Sequence, residues 1–238
     1  MPDLTRRQFA GLAAGAGIAA ASLGTAPFYI GRSRAAAAGK VVIIGGGPGG
    51  LSVANQLKSE NAALDVVLIE PKEKYTTCFY SNLYLGGFRS FQSITHDYQG
   101  VKKTGVSIIN DTATAIDPEK KTVTLAKGGA AVVYDRLVVA PGIDLKYESI
   151  PGYSAAAAQI MPHAWQGGPQ TWLLKEKLLA LPDGGLVVMT VPENPYRCPP
   201  GPYERACMIG HFLKTRKPKS KLIVFDAKKT ISKQAVFE

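Results

Sequence analysis

Cys198 is the side chain of this sequence best suited to nucleophilic or redox chemistry, because it lies in a proline-rich segment just before a predicted helix. Its neighbour Arg197 is positively charged, and the helix is predicted to begin near Pro202. A nearby cation and a helix N-terminus both favour the thiolate, the reactive form of cysteine. Glu204, in the first turn, is a candidate proton shuttle or, equally, an acid that only stabilises the helix start.

The glycine-rich run VVIIGGGPGG, residues 41–50, is predicted to bind a dinucleotide. Gly45, Gly47 and Gly50 allow a tight turn, a close approach of backbone to a pyrophosphate, and close packing of the following helix. An apolar strand precedes the run, and a second strand ends on Glu70, 20 residues after Gly50. An acid at this position binds the ribose of a dinucleotide.

The segment YDRLVVAPGIDL, residues 134–145, is predicted to approach the same cofactor. A strand ends there at Ala140, Pro141 and Gly142, where a tight turn can place main-chain atoms beside a bound dinucleotide. The alternative is an ordinary turn between a strand and a loop. Because it accompanies the glycine run, we interpret the turn as part of the cofactor site.

The elements that must position these residues alternate between strands and helices, as in a doubly wound α/β sheet. Strands are predicted at residues 106–110, 122–125 and 137–139, with a small antiparallel insert before the sheet resumes. A helix at residues 172–181 leads to the apolar run at residues 184–191, which begins a second unit. The pattern predicts an α/β fold with two successive Rossmann-like domains, the second of them incomplete.

The second unit lacks a glycine loop. Its first strand continues into PENPYRCPPGPYERA, which contains five prolines and one glycine. Proline has no backbone N–H to donate and fixes the chain, so this loop is poorly suited to cradle a pyrophosphate. We predict that no nicotinamide nucleotide, NADH or NADPH, binds there.

The predicted domains are an export signal at residues 1–38, a cofactor-binding Rossmann-like domain at residues 39–162, and the start of a second domain at residues 163–238. Arg6 and Arg7 precede an uncharged stretch rich in Ala and Gly, which is typical of the twin-arginine route to the periplasm. A retained membrane anchor is the alternative. The small hydrophobic gain from Ala and Gly disfavours the anchor.

Composition limits the choice of partners. Of 28 Lys and Arg and 18 Asp and Glu, residues 1–38 hold four arginines and one aspartate, which leaves 24 basic against 17 acidic side chains, a net charge of +7. Basic residues do not alternate with aromatic ones, so no nucleic-acid binding is predicted. The lysine cluster at residues 214–221 is either a solvated face or a docking surface for an acidic protein. Three cysteines without CxxC or CxxCH spacing predict no zinc or covalent haem site and leave at least one thiol unpaired.

Several motifs together resemble the flavoprotein subunit of flavocytochrome c sulfide dehydrogenase, a member of the flavoproteins with two dinucleotide-binding domains. Besides the glycine run they are TTCFYSN, YDRLVVAPG, MPHAWQGGPQT, RCPPGPYERA and KPKSKLIVFDAKKTISKQ. By this resemblance, FAD would be attached covalently through a thioether to Cys78, and Cys198 would form a redox-active disulfide with a partner near the C-terminus. The 8 residues from Glu70 to Cys78 can span at most roughly 26 Å, ample to run from the ribose towards the flavin ring.

The resemblance implies oxidation of hydrogen sulfide, with electrons passed from the flavin to a c-type cytochrome subunit. Two alternatives stay open: a sulfide:quinone oxidoreductase, and a flavin-binding electron-transfer protein without turnover of its own. Cys198 and Glu204 are the predicted catalytic residues, and no metal site is predicted. The predicted cofactor-binding residues are Gly45, Gly47, Gly50, Glu70, Cys78, Ala113, Ala140, Pro141 and Gly142.

Some expectations concern the end of the chain and its remaining polar residues. The chain stops at Glu238, after what is predicted to be the third strand of the second domain, so we expect a fragment that lacks the partner of Cys198. Cys207 is expected to be a small apolar core residue. His163 and Trp165 either line the flavin pocket or form a packed loop.

Overall fold

The computed structural model describes residues 39–237, so the predicted export signal at residues 1–38 lies outside the described residues. In the described part the strands are β1 (Lys40–Ile44), β2 (Asp65–Ile69), β3 (Lys74–Thr76), β4 (Thr95–Asp97), β5 (Ser107–Ile109), β6 (Ala113–Asp117), β7 (Thr122–Leu125), β8 (Val132–Val133), β9 (Arg136–Val139), β10 (Leu186–Val191) and β11 (Lys221–Asp226). The helices are α1 (Pro48–Glu60), α2 (Ser81–Gly86), α3 (Gln99–Lys102), α4 (Ala157–Ile160), α5 (Pro169–Ala180), α6 (Gly201–Arg216) and α7 (Gln234–Phe237).

A parallel sheet with strand order β5-β2-β1-β9 forms the centre of the first domain. The chain moves from β1 through α1 to β2 on one side, and returns to the other side of β1 as β9. The carboxyl end of β1 is therefore a switch point of the sheet, where open α/β folds bind their ligands. This arrangement confirms the predicted α/β class and the Rossmann-like first domain.

Both faces of this sheet are covered, which explains the continuous apolar runs of its strands. On one face Ile43 and Leu68 pack against Ala54 of α1. On the other face Val42 and Ile69 pack against the small antiparallel sheet β6-β7-β8. That sheet is the predicted insert, and β9 then pairs with β1 as expected.

The second unit is a β10-α6-β11 crossover, in which the two strands pair in parallel. The strand predicted at residues 221–226 is confirmed as β11, although within the described residues it is the second strand of a two-stranded sheet and not the third. One face of this sheet carries exposed apolar side chains, including Leu186, Val188 and Phe225. Within the described part of the chain, no helix is long and apolar enough to cross a membrane.

An apolar cluster joins the second unit to the first domain. Leu85 of α2 packs with Leu178 of α5 and with Ile209 and Phe212 of α6. All four side chains are almost completely buried. The TTCFYSN segment, which leads into α2, is therefore held against the helix that follows the proline-rich loop.

Candidate functional site

The glycine turn after β1 is shaped by contacts that exclude side chains. Gly45 has a φ of +102°, and a Cβ there would overlap the carbonyl oxygen of Ala140. A Cβ on Gly50 would overlap the carbonyl oxygen of Gly45. At Gly47, by contrast, the nearest atom to an added Cβ is a ring carbon of Tyr75 at 3.8 Å. The turn is closed beneath Gly45 and Gly50 and open beside Gly47, as a backbone cradle for a pyrophosphate requires.

The carboxylate of Glu70 lies at this turn, as predicted. Its Oε2 accepts a hydrogen bond from the backbone N of Gly46 at 2.7 Å, and Oε1 accepts one from the backbone N of Lys72 at 2.9 Å. The hydroxyl of Tyr98 donates to the carbonyl of Gly46 at 3.2 Å. Burial, with the nearby charge of Glu70, raises the pKa of Tyr98, so this hydroxyl stays a donor. Sequence reasoning had left out Gly46 and Tyr98.

Of the other predicted cofactor residues, Ala140 to Gly142 lie beside the same turn, whereas Ala113 lies on one face of the sheet. The backbone N of Ala140 donates to the carbonyl of Ile44 at 2.8 Å, so the turn through Pro141 and Gly142 begins beside the end of β1. Gly142 adopts a φ of +85°, which favours glycine. Ala113 begins β6 and packs against the sheet face that carries Val42 and Ile69. A dinucleotide pyrophosphate fits beside Gly47, where the nearest atom to an added Cβ lies 3.8 Å away.

The side chain of Arg197 does not hydrogen-bond to Cys198, its neighbour in sequence. Its Nη2 donates to the Sγ of Cys78 at 3.3 Å, across 119 residues of sequence, and no such contact joins it to Cys198. The hydrogen bond of Arg197 is therefore made to Cys78 and not to Cys198. Cys198 adopts a left-handed φ of +59°, and its Sγ is directed at Gly201, where an added Cβ would lie 3.1 Å away.

Cys198 is exposed and lies at the start of α6, which begins at Gly201. The backbone N of Gly201 donates to the carbonyl of Cys198 at 2.9 Å. Because Gly201 has no side chain, the sulfur can approach the first turn of the helix. The predicted setting of this thiol at a helix N-terminus is confirmed by this geometry.

Arg205 is the cation that the structure places near Cys198. The side chain is buried, and its three donor nitrogens are used: Nε donates to Asn82 Oδ1 at 3.0 Å, Nη1 to the carbonyl of His163 at 3.0 Å, and Nη2 to the carbonyl of Ala164 at 2.8 Å. Among residues 39–237 no carboxylate forms a salt bridge with it. Burial lowers the pKa of Arg205 to about 10, while Glu204 and Cys198 act in the opposite direction.

Asn82 links the two motifs, and sequence reasoning missed it. Its Nδ2 donates to Glu204 Oε2 at 2.8 Å while its Oδ1 accepts from Arg205. One amide of α2 thus fixes two consecutive side chains of α6. Glu204 is exposed on its other side, so its carboxylate is both anchored to the first domain and open to solvent. This geometry is compatible with a proton shuttle. Glu204 is held by Asn82, so its role is not limited to placing a negative charge at the start of α6.

His163 and Trp165 form a packed loop against α6. The Nδ1 of His163 accepts from the backbone N of Trp165 at 2.9 Å, which leaves a proton on Nε2 when the ring is neutral. Burial, followed by the charge of Arg205, lowers the pKa of His163. The Trp165 ring lies beside Arg205, whose Cζ is 5.8 Å from the ring centroid. Of the two interpretations left open, the packed loop describes these contacts.

The second unit has a counterpart of Glu70 that is already occupied. Asp226 ends β11 as Glu70 follows β2, but its Oδ1 accepts from Lys228 Nζ at 2.7 Å and its Oδ2 accepts from the Tyr203 hydroxyl at 2.7 Å. Burial acts to raise the pKa of Asp226, yet hydrogen bonds from Lys228 and Tyr203 outweigh it and lower that pKa. Asp226 accepts three hydrogen bonds and is ion-paired with Lys228, whereas Glu70 accepts only two backbone hydrogen bonds, so Asp226 has less capacity left for a ribose.

Cys207 is exposed, so the expectation of a buried apolar residue is wrong. On α6 the buried residues Arg205, Ile209 and Phe212 follow helical spacing, and Cys207 lies off that face. Serine at this position should therefore cost little stability.

In the described part of the chain no group of three or more His, Cys, Asp or Glu side chains can hold a metal ion.

Arg205→Met is expected to lower the free energy of unfolding by about 3 kcal/mol, because it leaves three buried oxygens without their donor, partly offset by removal of a buried charge. Arg216→Met is the matched control, since Arg216 is exposed on the same helix and should change stability by less than about 0.5 kcal/mol. Urea unfolding followed by circular dichroism measures both. Equal losses in the two variants would contradict the proposed importance of the buried contacts.

Comparison with known proteins gives two family matches that lie side by side. Residues 39–167 match the pyridine nucleotide-disulphide oxidoreductase family. Residues 171–238 match the central part of the sulfide dehydrogenase [flavocytochrome c] flavoprotein chain. A sulfide dehydrogenase [flavocytochrome c] flavoprotein chain of Chlorobaculum thiosulfatiphilum is 44% identical over 43 residues, which are 18% of this chain and 90% of that sequence.

The relatives that match a larger part of this chain are sulfide:quinone oxidoreductases. Mitochondrial sulfide:quinone oxidoreductase of Dictyostelium discoideum is 30% identical over 183 residues, 74% of this chain and 39% of that protein. The crystal structure of sulfide:quinone oxidoreductase from Aquifex aeolicus superposes with a TM-score of 0.62 at 27% identity, covering 80% of this chain and 44% of that one.

The chain thus spans less than half the length of these sulfide:quinone relatives. The match to residues 39–167 covers the parallel sheet, the glycine turn and Cys78, and it extends over more than half of the 238 residues. The chain therefore belongs to the pyridine nucleotide-disulphide oxidoreductase family.

Proposed function

We propose that this chain is the FAD-binding part of a flavoprotein that oxidises hydrogen sulfide through Cys198. The observation that carries the proposal is the junction of α2 and α6, where Asn82 holds Glu204 and Arg205, and where Arg205 lies within electrostatic range of Cys198. At the same junction Arg197 reaches Cys78. Two thiols, two arginines and a carboxylate from distant parts of the sequence thus meet at one place, next to a dinucleotide cradle. The names of the matched family and of the relatives support the same chemistry.

FAD would be held by the glycine turn, with Glu70 at the ribose and the turn from Ala140 to Gly142 beside it. When bound, the flavin supplies an acceptor for two electrons that can later leave one at a time. The rest of the chemistry belongs to the protein side chains. The second unit is not proposed to bind NADH or NADPH, because its loop contains prolines and Asp226 is engaged by Lys228 and Tyr203.

The reactive sulfur would be Cys198, paired in a disulfide as the resemblance implies. Hydrosulfide attacks a disulfide sulfur, so that one cysteine becomes a persulfide and the other leaves as a thiolate carrying the electron pair destined for the flavin. Arg205 stabilises negative charge on Cys198 through its guanidinium. Glu204, held by Asn82 and open to solvent, takes up the proton that hydrosulfide loses.

We propose a c-type cytochrome subunit as the electron acceptor, with membrane quinone as the second candidate. The match at residues 171–238 supports the cytochrome, and the named sulfide:quinone relatives support the quinone. Sulfide-dependent reduction by the purified flavoprotein, measured with cytochrome c and with a soluble quinone in parallel, separates them. Reduction of the quinone alone would reject the cytochrome, and reduction of neither would leave a flavin-binding protein without turnover.

We also propose that the protein acts in the periplasm after export by the twin-arginine route. This route carries folded proteins, which suits a chain whose flavin is inserted beforehand. Replacing both Arg6 and Arg7 by Lys should keep the precursor in the cytoplasm, because the paired guanidinium groups are the recognised feature. Periplasmic delivery of that double variant, measured by cell fractionation, would contradict the proposal.

A further inference from the structure

We propose that Arg197 is a positioning residue that activates Cys78 for covalent attachment to FAD, so that the proline-rich loop of the second unit controls a bond formed in the first domain. This inference rests on the proposed function, in which FAD occupies the glycine cradle and Cys78 is its attachment point. It adds a role for a residue that the resemblance leaves without one.

The guanidinium of Arg197 is directed at the sulfur of Cys78 and has no competing acid. Its Nη2 lies 3.3 Å from Sγ, within the range of a hydrogen bond to sulfur. In the described part of the chain, no Asp or Glu forms a salt bridge with Arg197. An uncompensated cation that donates to a thiol stabilises its anionic form, which is the nucleophile.

The loop that carries Arg197 is anchored on both sides of it. The hydroxyl of Tyr196 donates to the carbonyl of Pro199 at 2.9 Å, and its ring packs near Trp165 with a centroid distance of 6.3 Å. Lys228 Nζ lies 4.8 Å from the centroid of the same ring. Arg197 therefore reaches Cys78 from a restrained base, and little conformational entropy of the loop opposes the contact.

Tyr75 connects this pair to the cofactor cradle. The ring of Tyr75 is the nearest group to the open side of Gly47. Burial and the charge of Cys78 raise the pKa of Tyr75, while Arg197 acts to lower it, so Tyr75 lies within electrostatic range of both groups. Cys78 and Arg197 are thus found on the side of the turn that a dinucleotide would occupy.

In the proposed attachment step, the Sγ of Cys78 would use its lone pair to form an S–C bond with a carbon of FAD, and that carbon would lose one C–H proton to solvent. The electron pair of that C–H bond would leave the bound flavin reduced by two electrons, with two protons taken up from solvent. Dioxygen then removes the two electrons and two protons and yields hydrogen peroxide. Arg197 acts only on the first part, because it stabilises the sulfur anion before the bond forms.

The experiment follows covalent attachment of FAD to the apo form of the 238-residue chain in air. Samples are precipitated with acid, and the flavin retained by the polypeptide is measured by absorbance and by intact mass. At pH 7, Arg197→Gln should attach FAD about tenfold more slowly than the wild type, since an unassisted thiol is largely protonated there. At pH 9.5, where an ordinary thiol ionises without help, the two rates should agree within about twofold.

Arg89→Gln is the matched control, because Arg89 is exposed and lies over the ring of Tyr80, two residues from Cys78, without contacting the sulfur. It should attach FAD at the wild-type rate at both pH values. Non-covalent FAD binding, measured before precipitation, should be the same in all three proteins. Equal rates at pH 7 for Arg197→Gln and wild type would overturn the inference, and so would a loss that pH 9.5 does not relieve.

A second measurement does not depend on FAD. Iodoacetamide should alkylate Cys78 more slowly in apo Arg197→Gln than in apo wild type at pH 7, as resolved by peptide mass from Cys198 and Cys207. If wild type never retains flavin after acid, the covalent assignment within the proposed function is wrong, and alkylation alone then reports on Arg197. Unchanged alkylation of Cys78 would overturn the role of Arg197 in activating the thiol.

Discussion

Replacing Cys198 by Ser is expected to abolish rapid reduction of the bound flavin by sulfide, with a loss of about 1000-fold or more in rate. Serine preserves the size of the side chain but cannot form a disulfide or a persulfide, and removing a nucleophile commonly costs this much. The flavin should remain bound, because the glycine cradle is unaffected. Stopped-flow absorbance of the flavin after mixing with sulfide measures the effect.

Cys207→Ser provides the control for that experiment. Cys207 belongs to the same helix but is exposed and away from the junction with α2, so its replacement should leave the rate within about twofold. Rapid flavin reduction in the Cys198→Ser protein would falsify the mechanism and point to a reaction directly on the flavin.

The parts of the fold that follow from local pattern were predictable from sequence. The strand at residues 122–125 coincides with β7, and the glycine run with its flanking strands specifies the β1-α1-β2 unit. In these segments apolar runs, turn residues and the ribose acid all favour one structure. Even the exposure of Cys207 was available from the sequence, since helical periodicity places it off the face defined by Ile209 and Phe212.

The junction of the two units was not predictable in the same way. Asn82 and Glu204 are 122 residues apart, and Cys78 and Arg197 are 119 apart, so neither contact has a local signature. Because Arg197 and Cys198 are adjacent in the chain, the sequence predicts instead that Arg197 favours the thiolate of Cys198. Adjacent side chains need not serve the same site, particularly where a left-handed residue turns the backbone between them. The contact of Arg197 with Cys78 therefore became visible only when the proline-rich loop was seen against the first domain.

Replacing Cys78 by Ala is expected to convert tightly retained FAD into flavin that is lost completely on acid precipitation. A thioether survives loss of the fold, whereas a dinucleotide held only by the glycine cradle dissociates when the cradle unfolds. Native binding should persist in the variant, because Gly45, Gly47 and Gly50 still shape the turn. Denaturing mass spectrometry of wild type should show one added FAD, and that of Cys78→Ala none.

The matched variant for this test is Cys207→Ala, which should retain covalent flavin like the wild type. The distinction matters because Cys78 is the only cysteine of the described residues whose sulfur receives a hydrogen bond from a cation. Flavin that washes out of a properly loaded wild-type preparation would make Cys78 a structural thiol beside Arg197. Flavin that stays attached to Cys78→Ala would place the bond on a different residue. Either result would reject the covalent bond to Cys78 without rejecting FAD binding by the glycine turn. The glycine geometry supports that binding, whereas the covalent bond depends on this one sulfur.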